Sequence, residues 1–299
     1  MSHAEIEASL TIVVINYRTA PLVRSLVDEL PDWATVVVVD NFTTQTEQEA
    51  VSRISTARII LSPNNAGFFG GVNRALAEID DSDWVLLLNP DASIDERSLR
   101  TLLRRAIDES IDLTSPVILN ARSDRTWFTG GYIRRRTGDV RHFRIGEPFH
   151  PQSRTERSEF ISGCVMLMSP VARKLLTPLP ESYFLYYEDA QLSVEASRLG
   201  LRRAVVLDAI ARHIEGVSSN ADANGRSATS YYYQSRNRLL FIRQNWEFPT
   251  ASGVLATPRR AVRDVARILF RERSARFSKI ASVLVGIRDG IVGKDGPRC

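Results

Sequence analysis

The chain is poor in the residues that build disulfide frameworks and metal clusters. Its 299 residues include only two cysteines, Cys164 and Cys299, and four histidines. Two cysteines cannot form a disulfide framework, and this pair does not have the spacing of a zinc site. We therefore expect a protein of a reducing compartment.

Long hydrophobic runs are also missing. No apolar stretch approaches the ~20 residues that a membrane-spanning helix needs. Residues 1–10 lack the basic start and long apolar core of a secretory signal, so we expect a cytoplasmic protein. A composition of 43% hydrophobic and 25% charged residues is that of a globular protein. A chain of 299 residues is long enough for one large α/β domain or two small ones.

Positive charge is unevenly distributed along the chain. The net charge is +4, yet residues 258–299 alone contain 11 basic and 4 acidic side chains, so the remainder is slightly acidic. This asymmetry argues against a general nucleic-acid binder, which would carry basic residues over its main body. It indicates instead a local contact of the C-terminal segment with an anionic partner.

Four apolar runs predict buried strands, and helical patterns separate them. The runs cover residues 10–15, 35–39, 57–61 and 84–88. This alternation predicts β-α-β units with parallel strands, whose carboxyl ends share the sheet edge where ligands bind. Polar side chains follow each run at that edge: Asn16 and Tyr17, Asp40 and Asn41, Asn64 and Asn65, and Asn89 and Asp91.

The fourth run ends in Asn89-Pro90-Asp91. Proline cannot occupy a central strand, so the strand should stop at Leu88 and place Asp91 on the following loop. A carboxylate there suits a divalent cation and the phosphates that it carries. A plain strand-to-helix turn explains the same residues equally well.

A glycine-rich segment, residues 65–75, lies between the third and fourth runs. It predicts a tight loop and a helix that begins near Gly71, with exposed amides that favour an anion. The spacing matches neither the Rossmann fingerprint nor the Walker phosphate loop. A simple loop-helix junction is an equal alternative. An amphipathic helix is expected over residues 92–110.

The second half of the chain contains two further candidate groups. Glu188 and Asp189 stand at the predicted start of a helix, where they act either as caps or as a general base. His213 follows a strand predicted over residues 203–207, and a lone histidine is more often structural than a ligand. A further buried strand is predicted over residues 160–168.

The basic C-terminal segment has apolar residues at a helical spacing. They predict a helix that packs on the domain or lies on an anionic membrane surface. The residues are Ile280, Val283, Leu284, Ile287 and Ile291.

In their order and spacing, these motifs resemble family 2 glycosyltransferases with the GT-A fold, and most closely the rhamnosyltransferase-like branch. The matching segments cover residues 13–17, 38–41, 64–73, 87–91, 160–164, 184–189, 213–218, 236–240 and 286–290.

This resemblance implies an α/β fold with a Rossmann-like, mostly parallel central sheet flanked by helices. A GT-A catalytic domain would cover residues 1–230, with a nucleotide-sugar half at about 10–115 and an acceptor half at about 116–230. A helical, basic C-terminal extension would cover residues 231–299.

The resemblance also assigns roles to residues. Asp40 would bind the nucleoside, with Asn16 and Tyr17 near the base. Asn65, Gly67, Asn89 and Asp91 would complete the donor site, Asp91 and His213 would hold Mg²⁺ or Mn²⁺, and Asp189 would be the catalytic base. Gln191 and Glu195 depart from the family pattern and leave the acceptor open.

The implied activity is inverting, metal-dependent transfer of a sugar such as rhamnose. The donor would be a dTDP- or UDP-sugar, and the acceptor a glycan, a lipid-linked or a small molecule. The protein would be cytoplasmic, with peripheral membrane contact through its basic C-terminus and no nucleic-acid partner. The alternatives are a sugar-phosphate nucleotidyltransferase, whose glycine-rich basic signature residues 16–24 lack, and a non-catalytic sugar- or lipid-binding protein of the same fold.

Overall fold

The structure is a computed structural model that describes residues 9–214, 226–246, 251–272 and 274–298. Residues 215–218, which belong to the matching segment 213–218, lie outside the described residues. The strands within it are β1 (Leu10–Asn16), β2 (Thr35–Asp40), β3 (Arg58–Leu61), β4 (Trp84–Leu88), β5 (Ala92–Ile94), β6 (Leu113–Asn120), β7 (Thr126–Phe128), β8 (Gly131–Arg134), β9 (Asp139–His142), β10 (Thr155–Arg157), β11 (Val165–Met168) and β12 (Arg203–His213).

Helices separate these strands and close the chain. They are α1 (Ala20–Glu29), α2 (Gln45–Ser52), α3 (Gly67–Leu76), α4 (Glu96–Asp108), α5 (Pro170–Leu176), α6 (Glu188–Arg198), α7 (Ala228–Asn245), α8 (Ala251–Arg271) and α9 (Arg276–Val292).

One mixed sheet forms the centre of the molecule. Its main strand order is β10-β12-β6-β11-β4-β1-β2-β3, with β5 paired to β12 and β7 to β6. Strands β4, β1, β2 and β3 run parallel, as the alternating pattern predicts. Strand β11 lies antiparallel between β4 and β6 and joins the N-terminal strands to the second half of the sheet.

The hydrophobic core lies on both faces of this sheet. All residues of β1 are buried, and β2 is buried after its first residue, as expected for parallel strands covered by helices. Helix α4 buries Leu99, Leu102 and Leu103 at helical spacing against the sheet. The predicted α/β architecture with flanking helices is therefore confirmed.

Several predicted boundaries were wrong. Helix α3 begins at Gly67 rather than near Gly71. The predicted helix over residues 92–110 begins only at Glu96, because Asp95 caps it by accepting a hydrogen bond from the Ser98 amide. Residues 92–94 form strand β5, which pairs with the end of β12. Strand β11 starts at Val165 instead of residue 160, and β12 extends to His213.

The apolar face of α9 packs on the rest of the protein. Val283 is fully buried beside Tyr231 and Ile268, and Ile280 and Ile287 pack against the same cluster. These three residues of α9 follow the packing alternative, whereas Leu284 and Ile291 of the same predicted face are 57% and 54% exposed. No helix in the described segments is long and apolar enough to cross a membrane.

The predicted domain boundary at residue 230 falls inside α7. Leu240 and Phe241 of this helix belong to the main core, whereas Tyr231 belongs to the small cluster under α8 and α9. Helix α7 thus connects the sheet to the C-terminal helices.

Candidate active site

Parallel pairing places the ends of β1 and β2 side by side. Asn16 and Asp40 are register partners, and the Asn16 Nδ2 atom donates to Asp40 Oδ2 at 2.8 Å. The same carboxylate accepts hydrogen bonds from the Thr43 amide and hydroxyl at 3.0 and 2.5 Å. Asp40 and Asn16 are fully buried and are not part of the wall of the cavity described below, whereas Tyr17 lines it.

The backbone amides at the start of α3 already donate hydrogen bonds to other groups of the protein. Asn65 Oδ1 accepts from the Gly67 amide at 3.0 Å, and Asn41 Oδ1 accepts from the Ala66 amide at 3.2 Å. The next amide, of Phe68, donates to the Phe184 carbonyl at 2.9 Å. The anion site that we expected at these amides is therefore not available in this arrangement, although Asn65 and Gly67 line the cavity.

The Asn89-Pro90-Asp91 turn is fixed from two sides. The Asn89 amide donates to the Cys164 carbonyl at 2.9 Å, and the Ile214 amide donates to the Asp91 carbonyl at 2.8 Å. The pairing of Ala92 with His213 across β5 and β12 brings the histidine to this turn.

Asp91 and His213 form a close pair at the sheet edge. His213 Nε2 lies 3.3 Å from Asp91 Oδ1, and their side chains are 8% and 0% exposed. Two ligands at right angles on one Mg²⁺ at ~2.1 Å lie about 3 Å apart, so this separation and these atom types fit a shared divalent cation. Among the described residues there is no group of three or more His, Cys, Asp or Glu side chains that could hold a metal. Further ligands would therefore have to come from the substrate and water.

The environment of His213 favours its charged form. Burial lowers the pKa of the imidazole, but the neighbouring Cys164 and Asp91 side chains outweigh this and raise it to about 10. A cation bound by Nε2 would compete with the proton of the ring, so metal binding there would be coupled to proton release.

Asp189 lies in the first turn of α6 and lines the cavity. Its Oδ2 atom accepts from the Gly163 amide at 3.1 Å, and Oδ1 accepts from the Ala190 amide at 2.8 Å. Burial raises the pKa of Asp189 to about 6, against the opposing effect of these amides. Burial and the charge of Asp189 raise the pKa of the adjacent Glu188 further, so Glu188 is the member of the pair that keeps its proton.

The aromatic loop before Asp189 has an unusual backbone. Phe184, Tyr186 and Tyr187 have φ values of 64°, 67° and 75°, a left-handed conformation that is strained for bulky residues. Buried Asn237 of α7 holds this loop, because its Nδ2 atom donates to the carbonyls of Tyr183, Leu185 and Tyr186 at 2.7–2.9 Å.

Sequence reasoning placed Asn237 on a helix face and assigned it no role in the site. The signals were a pair of polar residues, Arg236 and Asn237, in front of an apolar run, and the match of residues 236–240 to the family pattern. Arg236 is also buried, and its Nη2 atom donates to the Tyr183 carbonyl at 2.9 Å. Both residues therefore position the backbone that carries the candidate base.

A single large cavity joins these parts. Its volume is about 1830 Å³, and its wall includes Tyr17, Asn89, Asp189 and His213. Asp91 is buried and is not part of this wall. The cavity thus brings a carboxylate with a raised pKa and the imidazole of the Asp91–His213 pair to one space, which suits acid–base chemistry beside a cation-bound anion.

A family model and two curated relatives match the chain. The model of glycosyl transferase family 2 matches residues 11–175, more than half of the chain. The low-salt glycan biosynthesis hexosyltransferase Agl10 of Haloferax volcanii is 27% identical over 77% of this chain and 74% of its own length. The N-acetylglucosaminyl-diphospho-decaprenol L-rhamnosyltransferase of Mycobacterium tuberculosis is 27% identical over 83% of this chain and 90% of its own.

The solved structure of GalNAc-T7 with UDP, GalNAc and Mn²⁺ has the same architecture. It superposes with a TM-score of 0.60 at 13% identity over 97% of this chain, which spans 55% of that chain. At this identity the likeness concerns the fold alone, and it confirms the predicted GT-A architecture.

Proposed function

The chain belongs to glycosyl transferase family 2 and is a glycosyltransferase, and we propose that it transfers a deoxyhexose, rhamnose or a related sugar, with inversion and with the help of a divalent cation. The donor in this proposal is a dTDP-sugar. The acceptor is the hydroxyl of a lipid-linked glycan.

One observation carries this proposal. Asp189 faces the same cavity that the Asp91–His213 pair borders through His213. A base and a site for the leaving diphosphate are the two groups that single-step displacement of a nucleoside diphosphate requires. The name of the mycobacterial relative supports rhamnose and a lipid-linked acceptor, at 27% identity.

In the proposed reaction, the Asp189 carboxylate accepts the proton of the acceptor hydroxyl as the oxygen attacks the anomeric carbon. The bond between that carbon and the diphosphate breaks, and the nucleoside diphosphate leaves with the electron pair. The amides of Gly163 and Ala190 keep the Asp189 carboxylate oriented. Attack from the face opposite the leaving group inverts the anomeric configuration.

Asp91 and His213 would hold the cation, which supplies charge neutralisation to the leaving diphosphate when it is bound. Tyr17 lines the cavity where the nucleobase is expected, and the residue before it, Asn16, donates to the buried Asp40 carboxylate. A base-binding role for Asp40 stays a prediction.

The first test separates donor binding from chemistry. The full chain is assayed for dTDP release from dTDP-rhamnose with Mn²⁺ and a polyprenyl-diphosphate-linked N-acetylglucosamine acceptor. We expect Asp189→Asn to keep its affinity for dTDP and to lose turnover by about 10²–10⁴-fold, the usual contribution of a positioned base. Full transfer activity in this variant would remove Asp189 from the mechanism.

The second test addresses the cation. Asp91→Ala removes one of the two candidate ligands, so Mn²⁺ should no longer strengthen dTDP binding in calorimetric titrations. Asp95→Ala is the matched control, because Asp95 caps α4 and has no part in the pair. Equal Mn²⁺ dependence in the wild type and Asp91→Ala would contradict the assignment.

A further inference from the structure

The cavity is larger than the donor requires. Ligand pockets usually measure about 300–1000 Å³, whereas this cavity measures about 1830 Å³. Part of its wall is α8, which contributes side chains that the proposed donor site does not use. Those that carry charge or aromatic character are Arg260, Arg263, Asp264, Arg267, Phe270 and Arg271.

Three of these arginines form one face of α8. Arg263, Arg267 and Arg271 follow each other at intervals of four residues, which places them on the same side of the helix. We call these three residues the arginine face. Arg260, by contrast, is neutralised by a close ion pair with Asp139.

The arginine face has little negative charge beside it. Arg263 Nε lies 3.8 Å from Asp264, a carboxylate that also lies 3.9 Å from Arg260. Arg267 Nε lies 4.0 Å from Glu272. Glu272 is already bound by Lys279 Nζ at 2.7 Å and by the Tyr231 hydroxyl at 2.5 Å.

Arg271 has no ion pair with any residue that the structure describes, and Arg263 and Arg267 are 59% and 45% exposed. The face therefore presents surplus positive charge to the cavity. Guanidinium groups in such an arrangement bind phosphate through paired hydrogen bonds.

A large apolar side chain, Phe270, lies exposed on the same part of the cavity wall. Phe270 is 85% exposed and lines the cavity between Arg267 and Arg271 in sequence. Phe277, at the start of α9, is 92% exposed, and Leu269 is 45% exposed. An exposed phenylalanine beside arginines with surplus positive charge suits a ligand that has an apolar chain attached to its anionic group.

We propose that the arginine face binds the phosphate or diphosphate of a lipid-linked acceptor, with Phe270 against the start of its hydrocarbon chain. The acceptor sugar then extends into the cavity toward Asp189. This inference rests on the proposed transferase function, because it assigns the second substrate of that same cavity.

The test measures binding, so it does not depend on turnover. Farnesyl diphosphate serves as the probe, and saturating dTDP with Mn²⁺ keeps it out of the donor's diphosphate position. The double variant Arg267→Gln/Arg271→Gln is compared with Arg104→Gln/Arg259→Gln. The control removes the same charge from exposed arginines of α4 and α8 that do not line the cavity.

We expect the arginine-face variant to bind farnesyl diphosphate at least tenfold more weakly than the wild type and the control. Affinity for dTDP and the melting temperature without ligand should stay unchanged, which shows that the variant is folded. Inorganic pyrophosphate should bind more weakly than farnesyl diphosphate, because it lacks the chain that Phe270 contacts.

Other outcomes overturn the inference. Equal farnesyl diphosphate affinity in the arginine-face variant and the control would do so. Binding of the probe to the wild type only when dTDP is omitted would do so as well. The arginine-face variant could also keep its affinity for farnesyl diphosphate and lose binding to phosphatidylcholine vesicles that contain phosphatidylglycerol. That result would assign the face to membrane lipid instead. If the wild type failed to bind dTDP at all, the proposed function itself would be wrong.

Discussion

Asp189 has two requirements that oppose each other. A base must be charged to accept a proton, yet this carboxyl is buried and adjoins a second carboxyl, Glu188. Hydrogen bonds from the Gly163 and Ala190 amides stabilise its charged form, and burial still raises its pKa to about 6. The pKa of this base is therefore closer to neutral pH than that of an exposed aspartate, which is about 4.

This environment predicts how activity depends on pH. The base works only when deprotonated, so kcat/KM should be constant above the pKa of Asp189 and fall as the pH drops through about 6. The measurement is a pH profile of transfer, with dTDP affinity recorded at each pH as the control for the cation site. A fall of kcat/KM centred near pH 4 would show that Asp189 is not the group responsible. A parallel fall of dTDP affinity at the same pH would show the same.

The residues of the site could be predicted to different degrees. Asn16, Asp40, Asn65 and Asn89 could be placed at the sheet edge because each follows an apolar run, and parallel strands bring such ends to one edge. Their roles in binding stay predictions. The pairing of Asp91 with His213 came from family resemblance, since no local pattern joins residues so distant in sequence. Asn237 was missed because its partners are backbone carbonyls of another segment, which a side-chain pattern does not reveal.

At the scale of elements, α3 and the aromatic loop before Asp189 are joined by a close backbone contact. Gly67 has a φ of +77°, and a Cβ atom built there would lie 2.3 Å from the Phe184 carbonyl oxygen. The first turn of α3 can therefore meet the loop only if residue 67 is glycine. This contact also explains why α3 starts before the expected Gly71, since the Phe68 amide finds its acceptor in that loop.

Substitution of Gly67 should accordingly affect both stability and the loop. Gly200→Ala is a matched control, because Gly200 has a φ of +73° but a Cβ atom added there would have no neighbouring atom within 4 Å. Both variants should lose about 1 kcal/mol through backbone strain. Gly67→Ala should lose at least another ~1–3 kcal/mol through overpacking, measured by urea unfolding. Equal losses in the two variants would contradict a role for this contact.

The largest error at this scale has a physical reason. Residues 92–94 have a pattern that suits a helix, but their backbone pairs with Ala211, Arg212 and His213 of β12. Such pairing depends on a strand far along the chain. Hydrophobic periodicity describes which face is buried and cannot show that a distant strand supplies the hydrogen bonds.

At the scale of the whole molecule, a buried ion pair secures the C-terminal helices. Lys279 of α9 and Glu272, which follows α8, are 1% and 2% exposed, and Nζ lies 2.7 Å from Oε2. The Tyr231 hydroxyl of α7 donates to the same carboxylate at 2.5 Å. Three helices therefore meet at one charged group, next to the helix that carries the arginine face.

Loss of Lys279 should leave the buried Glu272 carboxylate with only the half-exposed Arg267 guanidinium, 4.0 Å away, as a cation. Lys279→Met should lower the free energy of unfolding by about 3–5 kcal/mol. The double variant Lys279→Met/Glu272→Gln should recover at least half of this loss, because no buried charge remains and the Tyr231 hydroxyl keeps an acceptor. Denaturant unfolding of the three proteins checks this, and a double variant no more stable than Lys279→Met would show that packing dominates.

The position of β12 in the sheet also determines when the site can exist during synthesis. Strands β1 to β4 lie within the first 88 residues and pair with one another, so they can associate early. His213 reaches Asp91 only after β12 has paired with β5 and β6. Non-local pairing of this kind forms slowly. A nascent chain that ends before His213 therefore contains strands β1 to β4 but lacks the carboxylate–imidazole pair. We expect the activity to arise late in folding.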